Sequence, residues 1–141
     1  MRKVYVSRFS RTLATLQTSG VAILQSLDIT KEVIGNEVMA EAVFKARQAV
    51  EQGQKISDPL KISKEFPLDA VEMIAVGEET GNLEEMLNKI ADFYDMSIGF
   101  AVKKLTVIIE PIFLAVMGSI IGLIMASMLI PVFDMVKLLR H

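Results

Sequence analysis

Three pairs of carboxylates, Glu78-Glu79, Glu84-Glu85 and Asp92 with Asp95, are the residues of this sequence whose types and spacing could do chemistry. Carboxylates held close together can bind a divalent cation through their oxygens or share a proton. Each pair also has a plainer use. Glu84 and Glu85 follow Asn82 at what reads as a helix start, where negative charge complements the helix dipole. Asp92 and Asp95 fall on one solvated helix face. Nothing nearby completes a reaction centre. The chain has no P-loop, no GxSxG, no HExxH and no aspartate-rich calcium loop. It has no cysteine and one histidine, His141, so thiolate and imidazole chemistry have almost no material and the serines lack a base. The expectation is a protein that is not an enzyme, with no catalytic, cofactor-binding or metal residues.

A different kind of chemistry is written near the C-terminus. From Pro111 to Phe133 the chain carries no charge, and Glu110 and Asp134 bracket the run. A helix of about 20 apolar residues crosses a hydrocarbon core of about 30 Å, and only a helix or a closed barrel satisfies its own backbone there. One segment cannot close a barrel, so this is read as a membrane-spanning helix. Inside it, Gly118 and Gly122 form a GxxxG, and Ala126 extends the small-residue stripe by one turn. Such a stripe lets a second helix approach closely in lipid. Glycine is also simply common in spans. The only polar side chains within the run are Ser119 and Ser127, too few for a channel or transporter pathway. Glu110 sits at the rim, within reach of water and of Lys103 or Lys104, and no second carboxylate lies within the span to make a proton relay. Pro111 at the entry is placed to redirect the helix.

The elements that must carry these residues all read as helices. Phe9, Leu13 and Leu16 form one apolar stripe that Gly20 closes, and Ile23, Leu27 and Ile34 form the next, up to Gly35. Asn36 is available to cap a third helix, striped by Met39, Val43, Ala46 and Val50 and ended by Gly53. Asp58-Pro59 can start a short turn of helix, and Phe66-Pro67 a longer one that ends in Gly77-Glu78-Glu79-Thr80-Gly81. Asn82 and Glu85 are spaced as a capping box for a last helix that meets no proline until Pro111, about 27 residues or roughly 40 Å. No segment alternates apolar and polar residues as a strand would. The predicted fold is all-α: an antiparallel bundle of about five to six helices continuing into a C-terminal transmembrane helix. The predicted domains are a cytoplasmic bundle at 1–109, the transmembrane helix at 110–133 and a short periplasmic tail at 134–141.

Charge narrows the partners. Fifteen Lys and Arg against seventeen Asp and Glu give a net charge of −2, without the basic stripe that a nucleic-acid binder needs. Lys103 and Lys104 before the span are balanced by Lys137 and Arg140 after it, so the flanking charges do not orient it. The basic N-terminus is not followed by a signal-peptide core, which places the bundle in the cytoplasm.

Three stretches then carry a resemblance. Phe9-Ser10-Arg11-Thr12-Leu13-Ala14-Thr15-Leu16, with Ser19-Gly20-Val21 and Leu24-Gln25-Ser26-Leu27, forms the first. The second runs from Met73 through Gly77-Glu78-Glu79-Thr80-Gly81-Asn82-Leu83 to Leu87 and Ala91-Asp92-Phe93-Tyr94. The third is Glu110-Pro111 opening the span, with Gly118 inside it and Pro131 at its end. Together they resemble the inner-membrane platform proteins of type II secretion and type IV pilus machines, over nearly the whole chain. Members usually contain two copies of the helical domain and three spans. This sequence matches the second copy and the last span, and is expected to be a fragment or a split member.

The resemblance implies a scaffold in the bacterial inner membrane that couples a cytoplasmic assembly ATPase to the addition or removal of pilin-like subunits. Its expected partners are that ATPase, other inner-membrane secretion or pilus components, pilin-like subunits, the lipid bilayer and further copies of itself as a homo-oligomer, with no nucleic acid. Gly20, Gly77, Glu78, Gly81, Leu83, Tyr94, Glu110 and Pro111 are its motif positions, serving structure or partner contact. Gly118, Gly122 and Ala126 are the expected helix-packing positions. The Gly77–Gly81 element reads either as a helix end with its turn or as an acidic contact for a partner. The competing function is a tail-anchored helical adaptor or receptor unrelated to pilus assembly.

Overall fold

A computed structural model describes residues 2–140; His141, which ends the expected tail, lies outside them. Six helices follow one another: α1 (Arg2–Thr18), α2 (Ile23–Val33), α3 (Glu37–Glu51), α4 (Ser57–Ser63), α5 (Leu68–Thr80) and α6 (Leu83–Leu139). There is no strand among the described residues. The chain divides into two units, Met1–Gly99 and Phe100–His141.

The first unit is the bundle. Its core draws on every helix: Phe9 and Leu13 from α1, Leu27 from α2, Met39 and Val43 from α3, Leu60 from α4, Ile74 from α5, and Leu87 and Ile90 from α6. All of these are essentially inaccessible to water. Burying one such side chain stabilises the fold by about 1.5–3 kcal/mol, which is why helices with weak individual preferences hold together here. Phe9 meets Phe66 edge to face, with ring centroids 4.9 Å apart.

Local signals set the helix limits. Asn36 caps α3 as its position suggested, its side-chain oxygen accepting from the Met39 amide at 3.0 Å. Gly20 and Gly81 stop α1 and α5 in the left-handed region, at φ 78° and 72°. The reciprocal bond of a capping box at Asn82 is not what Glu85 makes. Its carboxylate turns along the helix to Lys89, 2.8 Å away, and this ion pair holds the carboxyl below its ordinary value.

The second unit is the remainder of α6. Its most apolar 18-residue window has a mean hydropathy of 2.4, and none of that window is buried. By length and composition it suits a bilayer crossing. Pro111 and Pro131 both lie inside the helix, so neither opens or closes an element. A proline there forfeits one backbone bond, which membrane helices tolerate. The hydroxyls of Ser119 and Ser127 donate back to the carbonyls of Ala115 and Leu123, at 2.7 and 2.9 Å. The run's two hydroxyls are thus bonded within the helix.

Candidate functional site

Four of the sequence-selected positions, Gly77, Glu78, Gly81 and Leu83, gather on the wall of one open cleft of about 410 Å³ in the bundle. Its opposite wall comes from the end of α3 and the loop leading to α4, including Val50, Lys55 and Ile56. Each of the four has a local reason to be there. Gly77 is buried where α5 turns into α6: a Cβ at this position would lie 2.9 Å from the Leu83 Cα and 3.1 Å from the Met86 side chain. Only glycine allows that approach. The Gly77 carbonyl also accepts from the amides of Gly81 and Asn82, closing the helix end.

Glu78 reaches across the cleft rather than out of it. Its carboxylate accepts from the amides of Ile56 and Ser57, at 2.5 and 3.1 Å, and from the Ser57 hydroxyl at 2.8 Å. It satisfies donors that the start of α4 would otherwise leave bare. Glu79 pairs with Lys55 at 2.7 Å on the rim, which lowers the Glu79 carboxyl and raises the Lys55 ammonium relative to their ordinary values. Neither acid is spare. No group of acidic residues with metal-holding geometry occurs among the described residues.

Tyr94 lies elsewhere in the bundle. It is buried, and its hydroxyl bonds both carboxylate oxygens of Asp69 at 3.0 Å, tying α6 to the start of α5. Burial and the adjacent carboxylate push the hydroxyl up to about 12. Gly20 closes the α1–α2 turn, with nothing near enough to meet an added Cβ. Glu110, Pro111, Gly118, Gly122 and Ala126 belong to the second unit and are all exposed. Gly118 and Gly122 face open space, and Glu110 forms no ion pair with Lys103 or Lys104 among the described residues.

A polar seam between α1 and α6 was missed in the sequence. Arg11 bridges Asp92 at 2.6 Å and Asp95 at 3.0 Å. The Ser7 hydroxyl donates to Asp95, Lys3 to Ser97 at 2.7 Å, and Thr18 to Glu84 at 2.7 Å. Asp92 and Asp95 are therefore a docking pair for α1 and not merely a solvated face. The Ser7 hydroxyl and the Arg11 guanidinium hold the Asp95 carboxyl below its ordinary value, and the two acids raise Arg11. The spacing Lys3, Ser7, Arg11 along one face of α1 was the available signal. It needed a known partner helix to mean anything.

The assembled chemistry is that of binding and positioning: an apolar-walled cleft with an ion-paired rim on a helical bundle, and one exposed apolar helix. Residues 9–131 match the family of type II secretion system (T2SS) protein F, and the chain belongs to that family. Over 96% of its length it is 43% identical to the type IV pilus assembly protein PilC of Myxococcus xanthus and 45% identical to the protein of that name from Thermus thermophilus. Over 98% of its length it is 32% identical to the type II secretion system protein F of Pseudomonas aeruginosa. The matches take in 32%, 34% and 34% of those relatives, so the chain spans about a third of their length.

Proposed function

We propose that this chain is a cytoplasmic bundle and membrane-spanning helix of an inner-membrane platform in a type IV pilus or type II secretion machine. In this role it is a scaffold and not an enzyme. It couples an assembly ATPase on the cytoplasmic side to pilin-like subunits in the membrane, alongside other inner-membrane components and further copies of itself.

The observation that carries this reading is the reach of the family match, which runs from the core residue Phe9 in α1 to Pro131 in the apolar helix. Bundle and span thus belong to one inherited unit. The physics suits the role: Leu87, Ile90 and Tyr94 anchor α6 in the core, and the same helix carries the apolar run. A helical link resists bending over a few turns, so a displacement imposed on the bundle has a route to the bilayer.

Ile98→Pro tests that route, because a proline in a helix interior removes a backbone bond and clashes with the preceding turn. In a pilus- or secretion-competent cell, the variant should reach the membrane at normal level yet fail to support assembly. Normal assembly with Ile98→Pro would overturn mechanical coupling through α6.

A further inference from the structure

One end of the bundle is marked by α6 residues Tyr94 and Ser97, the last before the chain passes at Gly99 into the apolar segment. Lys3 reaches Ser97 there, Tyr94 holds Asp69 at the start of α5, and Arg2 donates to the Lys64 carbonyl just past α4 at 3.5 Å. These contacts bring the start of α1, the end of α4 and the start of α5 to the same end. Between them lies an open concavity of about 390 Å³, with Arg2, Lys61 and Lys64 as its cations and Phe66, Pro67 and Leu68 among its apolar walls.

The charge there is not internally cancelled. Arg2, Lys61 and Lys64 outnumber the acids beside them: Glu65 pairs with Arg2 at 3.4 Å, Asp69 accepts from the neutral Tyr94 hydroxyl and keeps its charge, and Lys61 and Lys64 form no ion pair among the described residues. Beside them Ile62 is 80% exposed, the most exposed large apolar side chain described in the bundle, and Leu68 is 57% exposed. Lys64 has a left-handed backbone, φ 57°, which turns the chain sharply between the two apolar residues. An apolar side chain protruding between two lysines suits a lipid headgroup layer, which takes the apolar group inward and the cations on its phosphates. Anionic headgroups attract such cations within a Debye length.

We propose that this end of the bundle docks on an anionic phospholipid surface, with Lys61 and Lys64 on headgroup phosphates and Ile62 entering the interface. The inference rests on the membrane tether proposed above, and position favours lipid over a protein partner. Twelve residues join Gly99 to Pro111, a reach of at most about 43 Å, so the tether keeps this end within reach of a bilayer at high effective concentration.

The test uses the full chain, which has no cysteine of its own. Ile62→Cys, and Gln54→Cys at the opposite end of the bundle, each receive an environment-sensitive fluorophore. Each protein is placed in nanodiscs of phosphatidylcholine alone or of phosphatidylcholine with phosphatidylglycerol. The expected result is a blue shift and quenching by bromolipid at position 62 in the phosphatidylglycerol discs. The shift should fade with salt and vanish with Lys61→Glu/Lys64→Glu, while position 54 stays wet in both lipids.

Equal emission at position 62 in both lipids, from protein that co-elutes with the discs, would overturn the docking and leave the tether intact. Protein that fails to co-elute would overturn the tether and the docking with it. A shift alike in both lipids that grows with protein copies per disc would identify a second copy as the occupant, and would also overturn the proposal.

Discussion

The Cα of Leu83 lies where it would be 2.9 Å from a methyl group on Gly77. The contact is with backbone, so no side chain can swing aside to relieve it. Gly77→Ala should therefore destabilise the bundle by about 1–3 kcal/mol, the usual cost of overpacking a tight site. For a domain of this size that lowers the melting temperature by several degrees or more. Thermal unfolding followed by far-UV circular dichroism checks it, and an unchanged midpoint would mean that the α5–α6 turn relaxes freely.

Asp95 sets an acid limit on the α1–α6 seam. Its folded carboxyl is depressed by Ser7 and Arg11. The stability this contributes is therefore complete above the unfolded Asp value of about 3.9 and is lost as the pH falls through the lower folded value. The carboxylate and its guanidinium partner are both substantially exposed, which limits the pair to about 1 kcal/mol or less after screening. Melting midpoints measured from pH 6 downward should fall more steeply for the parent protein than for Asp95→Asn. Parallel curves would show that the seam contributes nothing.

Tyr94 should give the opposite pH signature. Its hydroxyl is raised to about 12, so the stabilisation is present below the unfolded tyrosine value of about 10 and is lost as the pH climbs from there toward 12. The chain has two tyrosines, so Tyr5→Phe isolates the signal. Phenolate absorbance of that protein should appear near 12 while it stays folded. Removing the hydroxyl with Tyr94→Phe should cost about 1–2 kcal/mol, below the upper range for a bond to a charged group because Asp69 keeps access to water.

Much of the bundle was legible in the sequence because its signals are local. The stripe of Phe9 and Leu13, the cap at Asn36, and the glycine stops at positions 20 and 81 each depend on residues within a turn or two. The roles of Glu78 and Asp95 were not legible, since their partners lie 21 or more residues away and only the packed bundle supplies them. Glu85 was misread for a related reason: a capping box and an i, i+4 pair compete for the same carboxylate, and Lys89 wins. Gly77 could be seen as a motif position, but the close approach of Leu83 that demands it could not.

The stripe of Gly118, Gly122 and Ala126 is uncovered in a single chain. Replacing both glycines with Leu should reduce association of this helix with another membrane helix, because close backbone approach is what small residues permit. A bacterial reporter of transmembrane-helix association, with the segment 110–133 inserted, reads this directly. Equal signal from parent and variant would assign the glycines to the helix alone.

The platform reading itself is tested most directly by site-specific cross-linking in cells. Single cysteines at Lys45, Glu79 and Asp92 on the bundle are compared with one at Ala126 in the span. The account predicts bundle cross-links to an assembly ATPase, and cross-links from Ala126 to another membrane helix of the same machine. Bundle cross-links to unrelated soluble proteins alone, with nothing captured at Ala126, would contradict it and leave a tethered adaptor.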